Sequence, residues 1–220
     1  MSGANPETAR HTETDLRQLM ERDTLAGLDP EHALRLLGNL IDSSTELGKL
    51  DGLEKAFQLA GTMSPDQMNA QQAFSLDYFV ANAWSALGTL KRQETGQLLR
   101  WQNPEAEKEI FHLRRALSHD SVADKAILCP TLTNLGNALS QVGRHVEAIE
   151  FWDKALDLTP TFPMAKGNRG IGLFRCAMHV EAERDRHAML RQAWLDLEAA
   201  RGGAERHARP IFEDVLTRIG

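Results

Sequence analysis

Cysteine is scarce in this sequence: only Cys129 and Cys176 occur among its 220 residues. They fall at neither zinc nor redox spacing, which argues against a disulfide-rich secreted protein and favours reduced thiols. Cys176 and His179 share a helical face, but His187 lies beyond a predicted turn and no fourth ligand has a suitable spacing. We therefore expect no metal and no other cofactor.

The sequence also lacks an excess of positive charge and has no long hydrophobic run. The formal net charge is −6 and the sequence pI is about 5.8, which argues against broad nucleic-acid binding. No stretch approaches the roughly 18 apolar residues of a membrane span. Residues 1–12 are polar, unlike a signal peptide, and we expect a disordered tail there. We expect a cytoplasmic protein, with neither a membrane nor a nucleic acid as its partner.

The sequence gives no indication of β-strands, because valine and isoleucine are sparse and no alternation of period two persists. Hydrophobic residues make up 42% and charged residues 25%, as in globular proteins. Three positions combine a capping side chain with a following proline, which is typical of a helix start. They are Asp29-Pro30, Ser64-Pro65 and Asn103-Pro104, with Gln67 completing a possible capping box after Ser64. The predicted helices lie near 12–25, 30–47, 50–62, 65–90, 104–119, 122–142, 145–158, 162–177, 180–200 and 204–219.

The clearest motif is residues 129–162, CPTLTNLGNALSQVGRHVEAIEFWDKALDLTPTF. Small residues on one face of its second helix let the first helix approach closely. A glycine suits the turn between the two helices, and a proline ends the motif because it cannot continue the helix. The residues in these roles are Leu135, Gly136, Leu139, Gly143, Ala148, Trp152, Ala155, Leu156 and Pro160.

This motif resembles the tetratricopeptide repeat (TPR), and the resemblance extends over about residues 30–200. It implies an all-α, right-handed, TPR-like solenoid of helical hairpins with atypical terminal helices. Trp84-Ser85-Ala86-Leu87-Gly88 repeats the opening pattern, and an insertion at 89–103 follows it. The resulting domain prediction is a solenoid at 13–203, with repeats near 34–67, 78–119, 129–162 and 163–200, and a capping helix at 204–220.

The resemblance also implies a concave groove, lined by the first helices, that holds an extended peptide or a partner's helix. Asn137 and Asn168 stand where the family often places asparagines that bond a peptide backbone, since an amide is both donor and acceptor. The alternative is that these asparagines bond within the solenoid. Thr133 stands where chaperone-tail binders carry a lysine, so chaperone-tail recognition is not expected. The predicted partner-binding residues are Asn134, Asn137, Ser140, Asn168, Arg169, Arg175 and, in the insertion, Trp101.

The run 78–172 has a narrower resemblance, carried by ANAWSALGTL, WQNPEAEKEIFHLRRALSHD and GNRGIGL. It is similar to the repeat region ahead of a HEPN domain in some bacterial proteins. That resemblance implies a bacterial protein linked to stress or phage defence. Arg114 and His119 are compatible with the HEPN catalytic pattern, and such a pair can position a phosphate and move a proton. The competing explanation is that Ala116-Leu117 between them serves repeat packing.

We expect a non-enzymatic scaffold or adaptor that binds a partner protein or peptide in its concave groove. One setting for it is a bacterial defence or toxin–antitoxin assembly. Two alternatives are a HEPN-associated RNA-targeting effector and a self-assembling structural module, which would be a homo-oligomer.

Overall fold

The structure is a computed structural model, and it describes residues 16–17, 19–96, 103–119, 123–202 and 209–219. Within these ranges the chain forms nine α-helices, a single 3-10 turn at Pro65–Gln67 and no strand, which confirms the predicted all-α fold. The helices are α1 (Pro30–Glu46), α2 (Leu50–Ala60), α3 (Ala70–Thr95), α4 (Pro104–Leu117), α5 (Lys125–Gln141), α6 (His145–Leu158), α7 (Pro163–Ala177), α8 (Glu183–Arg201) and α9 (Arg209–Ile219).

The helices belong to two compact units. The amino-terminal unit, residues 1–123, contains α1 to α4, and the carboxy-terminal unit, residues 124–220, contains α5 to α9. In each unit, consecutive helices pack against one another, as in the helical hairpins that the repeat motif predicts. The tail predicted at 1–12 lies outside the described residues.

Two of the three predicted helix starts are capped as expected. Asp29 accepts a hydrogen bond from the backbone N–H of His32 at 3.1 Å, directly before α1. Asn103 accepts one from Ala106 at 3.0 Å, directly before α4. Each cap satisfies a backbone donor that the first helical turn leaves without a partner.

The third predicted start, at Ser64, is wrong. Ser64 makes no capping bond, and α3 begins later, at Ala70. The capping box is formed by Asn69 and Gln72: Asn69 accepts from the Gln72 N–H at 2.9 Å, and the Gln72 side chain accepts from the Asn69 N–H at 3.0 Å. Two reciprocal bonds stabilise this start more than a serine without a capping bond does.

Helix α3 begins and ends later than predicted and runs on to Thr95, so the first part of the predicted 89–103 insertion is helical. Gly96 ends it in the left-handed region at φ 63°, which glycine adopts without a steric penalty. Residues 97–102 lie outside the described ranges.

The amino-terminal unit is held together by leucines and by two close aromatic contacts. Leu37 of α1 and Leu53 of α2 are fully buried in one hydrophobic cluster. Trp84 of α3 stacks on Phe57 of α2, with ring centroids 4.1 Å apart. Lys108 of α4 lies over the same indole, its Nζ 4.5 Å from the ring centroid. Trp84 therefore serves helix packing, as its place in the repeat motif predicts.

The seam between α3 and α4 contains buried carboxyl groups. Asp77 is 2.8 Å from Nδ1 of His112, and Glu105 accepts a hydrogen bond from Lys91 at 2.9 Å. Glu109 is only 4% exposed, and burial raises its pKa to about 7, against smaller lowering effects of a Ser85 hydrogen bond and of Arg92. Glu109 thus stays protonated at pH values where an ordinary glutamate is charged.

We predict that Glu109 makes the unfolding free energy depend on pH between 4.5 and about 7. Because its pKa is higher in the folded chain than the ordinary glutamate value of 4.5, its contribution is fully present below pH 4.5 and is lost as the pH rises through about 7. The Glu109→Gln variant should lose this dependence and, above pH 7, exceed the parent in stability by at most about 3 kcal/mol. Urea unfolding at several pH values measures this. The exposed Glu54→Gln variant is the control, and equal pH profiles for Glu109→Gln and the parent would contradict the prediction.

The core of the carboxy-terminal unit is built around Trp152 of α6. Its indole lies between Gly136 of α5 and Gly172 of α7, and the side chain is 2% exposed. A Cβ added at Gly136 would lie 2.5 Å from Nε1 of the indole, and one added at Gly172 would lie 2.5 Å from its Cζ3. Both glycines are therefore required for three helices to pack on one ring.

The last hairpin, α7 with α8, differs from the predicted repeat. Ala182, aligned with the buried Ala148, is exposed and precedes α8. The close contact is formed further along, where Gly170 of α7 faces Leu197 of α8. Leu197 also belongs to a cluster with Val215 of α9. Which residues of α8 are buried is therefore decided by the contacts with α7 and α9, and not by the spacing of the repeat.

Candidate functional site

Two of the predicted partner-binding residues, Asn137 and Asn168, meet in the carboxy-terminal unit. Nδ2 of Asn168 donates to Oδ1 of Asn137 at 2.7 Å. Nε1 of Trp152 donates to the same oxygen at 3.0 Å. The Asn137 side-chain oxygen thus bonds within the unit, as in the alternative that these asparagines bond within the solenoid. Nδ2 of Asn137 and Oδ1 of Asn168 make no hydrogen bond with the described residues.

Arg169 is joined to two neighbouring helices of the same unit. Its Nε and Nη2 donate to the two carboxylate oxygens of Asp196 in α8, at 2.7 and 2.8 Å. Its Nη1 donates to Asp153 in α6 at 2.6 Å. The Asp196 hydrogen bonds raise the pKa of Arg169 more than burial lowers it. The guanidinium therefore holds α6, α7 and α8 together, and its role in partner binding stays a prediction.

The remaining predicted residues are more dispersed. Oγ of Ser140 lies 3.3 Å from Nδ1 of His145. Arg175 is exposed, and it lowers the pKa of His145 after the larger effect of burial. Asn134 is half-buried and has an interaction of its own. Trp101 lies outside the described residues.

Thr133, which stands where chaperone-tail binders carry a lysine, is not on the surface. It is fully buried, and its hydroxyl donates to the carbonyl of Cys129 at 2.9 Å. Its own carbonyl accepts from Nε1 of Trp152 at 3.3 Å. Thr133 is thus oriented by the Trp152 core, and no partner reaches it.

A second surface, which the sequence interpretation missed, lies in the amino-terminal unit. Helices α1 and α3 enclose a groove of about 550 Å³, which we call the α1–α3 groove. Its apolar part is formed by Leu34, Gly38 and Phe79. A Cβ at Gly38 would lie 3.3 Å from the Phe79 ring, so the glycine lets α3 approach. The polar side chains that line the groove include Arg35, Asn39, Asp42, Asn69, Gln71 and Gln72.

Helical spacing explains why α1 presents these residues together. Arg35, Asn39 and Asp42 follow one another at intervals of three or four residues, so they share a face of α1. Asn39 is exposed and makes no hydrogen bond with the described residues. A sequence signal for it exists: Leu37-Gly38-Asn39 repeats the triplet Leu135-Gly136-Asn137. Asn39 is therefore the counterpart of the predicted site residue Asn137, but its amide is free of internal bonds.

The charge of the groove is uneven. Asp42 lines it and has its pKa raised by partial burial and, to a lesser extent, by Glu46. Arg35 also lines it, and its Nη2 lies 3.0 Å from Nδ1 of His32. From α3 the groove receives only uncharged side chains. The acidic and basic positions are thus at different points along α1.

Arg114 and His119, the pair compatible with the HEPN catalytic pattern, lie at the end of α4. Arg114 lies in the last turn of α4 and His119 in the turn after it.

Among the described residues, no group of three or more histidine, cysteine, aspartate or glutamate side chains is placed to hold a metal ion. In the same part of the chain, no helix is long and apolar enough to cross a membrane.

Comparison with known proteins shows which solved structure has a similar fold. No protein-family model matches the chain, and no curated protein matches it either. Among solved structures, the crystal structure of MamA is similar, with a TM-score of 0.50 at 16% sequence identity, covering 90% of this chain and 97% of the MamA chain. The fold is TPR-like. At this identity the likeness concerns the fold alone, so the function has to be argued from the surfaces of this chain.

Proposed function

We propose that this protein is a non-enzymatic interaction module that binds an extended segment of a partner protein in the α1–α3 groove. The observation that carries the proposal is the groove itself. It has an apolar base at Leu34 and Phe79, and beside it lies the amide of Asn39, which makes no hydrogen bond in the described part of the chain. TPR-like solenoids commonly use the surface of their first helices in this way.

The chemistry of the groove suits a peptide. An extended segment carries one N–H and one C=O per residue that need partners when water is displaced. The Asn39 amide offers a donor and an acceptor to such a backbone, irrespective of its side chains. The groove volume of about 550 Å³ lies within the roughly 300–1,000 Å³ typical of ligand sites. The apolar base takes up a side chain of the segment, which adds affinity.

We predict that Asn39→Ala weakens peptide binding about three- to tenfold, because one or two hydrogen bonds to the peptide backbone are lost. Peptides are selected from a random linear library on the full chain, and affinities are measured by fluorescence anisotropy. Gln58→Ala, an exposed amide of α2 outside the groove, is the matched control and should bind as the parent does.

The same measurement separates the two surfaces. Asn168→Ala alters the surface that the sequence predicted, and we expect it to leave affinity unchanged. If Asn168→Ala weakens binding while Asn39→Ala does not, the site belongs to the carboxy-terminal unit and the groove assignment fails. Failure to select any peptide would contradict the proposed function as a whole.

Three wider predictions come from the sequence: the bacterial defence setting, the RNA-targeting effector and the self-assembling module. For self-assembly, a light-scattering mass near 24.5 kDa at high concentration is the excluding result.

A further inference from the structure

We propose that the α1–α3 groove selects a cationic side chain, lysine or arginine, in the segment that it binds. The inference rests on the proposed function of the groove and adds the chemical class of its partner. The cation is placed at the end of the groove where Asp42 lies, near the last turn of α1.

The end of α1 carries two carboxylates that form no ion pair in the described part of the chain. Asp42 and Glu46 are one turn apart, and neither makes a hydrogen bond or ion pair with the described residues; Lys49 is the first cation after them in the sequence. Like charges at this spacing repel, and carboxylates near a helix carboxy terminus also face the negative end of the helix dipole. The last turn of α1 contains no basic residue. A cation supplied by a partner relieves all of these repulsions at once.

The environment of Asp42 agrees with this arrangement. Partial burial, and then the neighbouring Glu46, raise the pKa of the Asp42 carboxyl. Both effects disfavour the carboxylate in the free protein. A docked ammonium or guanidinium group favours the carboxylate instead, so binding and ionisation of Asp42 support each other.

The other charged groups of the groove do not cancel this preference. Glu31 adds a second carboxylate to the lining, and Arg35 is the one lysine or arginine among the described residues that line it. Arg35 lies two turns before Asp42, about 10 Å along the helix axis. Its guanidinium is directed to His32. The groove is thus acidic at its Asp42 end, and the preference for a cation is confined to one position of the bound segment.

Selection from a random peptide library on the full chain tests the inference. We expect lysine or arginine to be enriched at one position of the selected peptides. Asp42→Asn should weaken the binding of such a peptide about three- to tenfold, as for an exposed to half-buried ion pair, and the loss should shrink at high salt. Asp66→Asn, an exposed residue outside the groove, is the matched control. Asp42→Lys should shift the enrichment towards aspartate and glutamate.

The outcomes distinguish this inference from the function on which it rests. Peptides without an enriched cation whose binding still weakens in Asn39→Ala would overturn the inference and support the groove. Equal affinity of a cationic peptide for Asp42→Asn and for the parent would also overturn the inference. Selection of no peptide at all would overturn the proposed function and the inference with it.

Discussion

Replacing Trp152 with alanine is expected to destabilise the carboxy-terminal unit by about 3–5 kcal/mol. The indole is 2% exposed and fills the space between Gly136 and Gly172. Its loss leaves a cavity that two backbones cannot close without moving α5 and α7 together. It also removes one of the two donors, Trp152 and Asn168, that bond the side-chain oxygen of Asn137. Hydrogen exchange of the α5 and α7 backbones, with urea unfolding followed by circular dichroism, measures the effect.

The glycines give an independent test of the same contact. Gly172→Ala should cost roughly 1–3 kcal/mol, because a methyl group at 2.5 Å from the rigid indole forces the helices apart. Combining it with Trp152→Phe, a smaller ring, should cost less than the sum of the two single changes. Gly202→Ala is the control, since a Cβ there meets nothing within 4 Å. Strict additivity would show that Gly172 does not act through Trp152.

Replacing Arg169 with methionine is expected to cost a similar amount, about 3–5 kcal/mol. Asp196 has a side chain that is 4% exposed, and Arg169 supplies both of its charge-assisted bonds. Methionine keeps much of the side-chain volume but leaves a buried carboxylate whose one remaining donor, among the residues that the structure describes, is Gln192. The loss should therefore come from the stranded charge rather than from packing.

A double-mutant cycle identifies that origin. Adding Asp196→Asn to Arg169→Met removes the stranded charge and should restore a large part of the stability. Asp153→Asn is the comparison for an exposed partner: its side chain is 50% exposed, and we expect a cost below about 1 kcal/mol. If Arg169→Met unfolds no more easily than Asp153→Asn, the pair with Asp196 does not stabilise the unit as proposed.

The local features of the fold were predictable because they depend on neighbouring residues. The caps at Asp29 and Asn103 follow from a side chain and a proline next to each other. The wrong start at Ser64 has the same origin, since Asn69 with Gln72 is a second local signal of the same kind and forms both bonds. Local patterns indicate where a helix can begin, and the number of bonds formed decides between competing starts.

The site was less predictable, because its contacts join residues far apart in the chain. The repeat resemblance identified Asn137, whose oxygen is in fact committed to Trp152 and Asn168. Its counterpart Asn39 sits in the same triplet, but its exposure depends on how α3 packs against α1. The residues next to Asn39 in the sequence do not indicate how α3 packs against α1.

By itself, the sequence determined that this protein is an all-α chain of hairpins, since helical periodicity, caps and the 129–162 repeat are properties of short segments. Only the tertiary structure decided which polar groups are bonded within the chain. Arg169 is bonded to Asp196, 27 residues away, whereas Asn39 and Asp42 of the α1–α3 groove make no hydrogen bond with the described residues. The reason is physical: a polar side chain is available only if no distant residue satisfies it, and chain folding alone brings distant residues together.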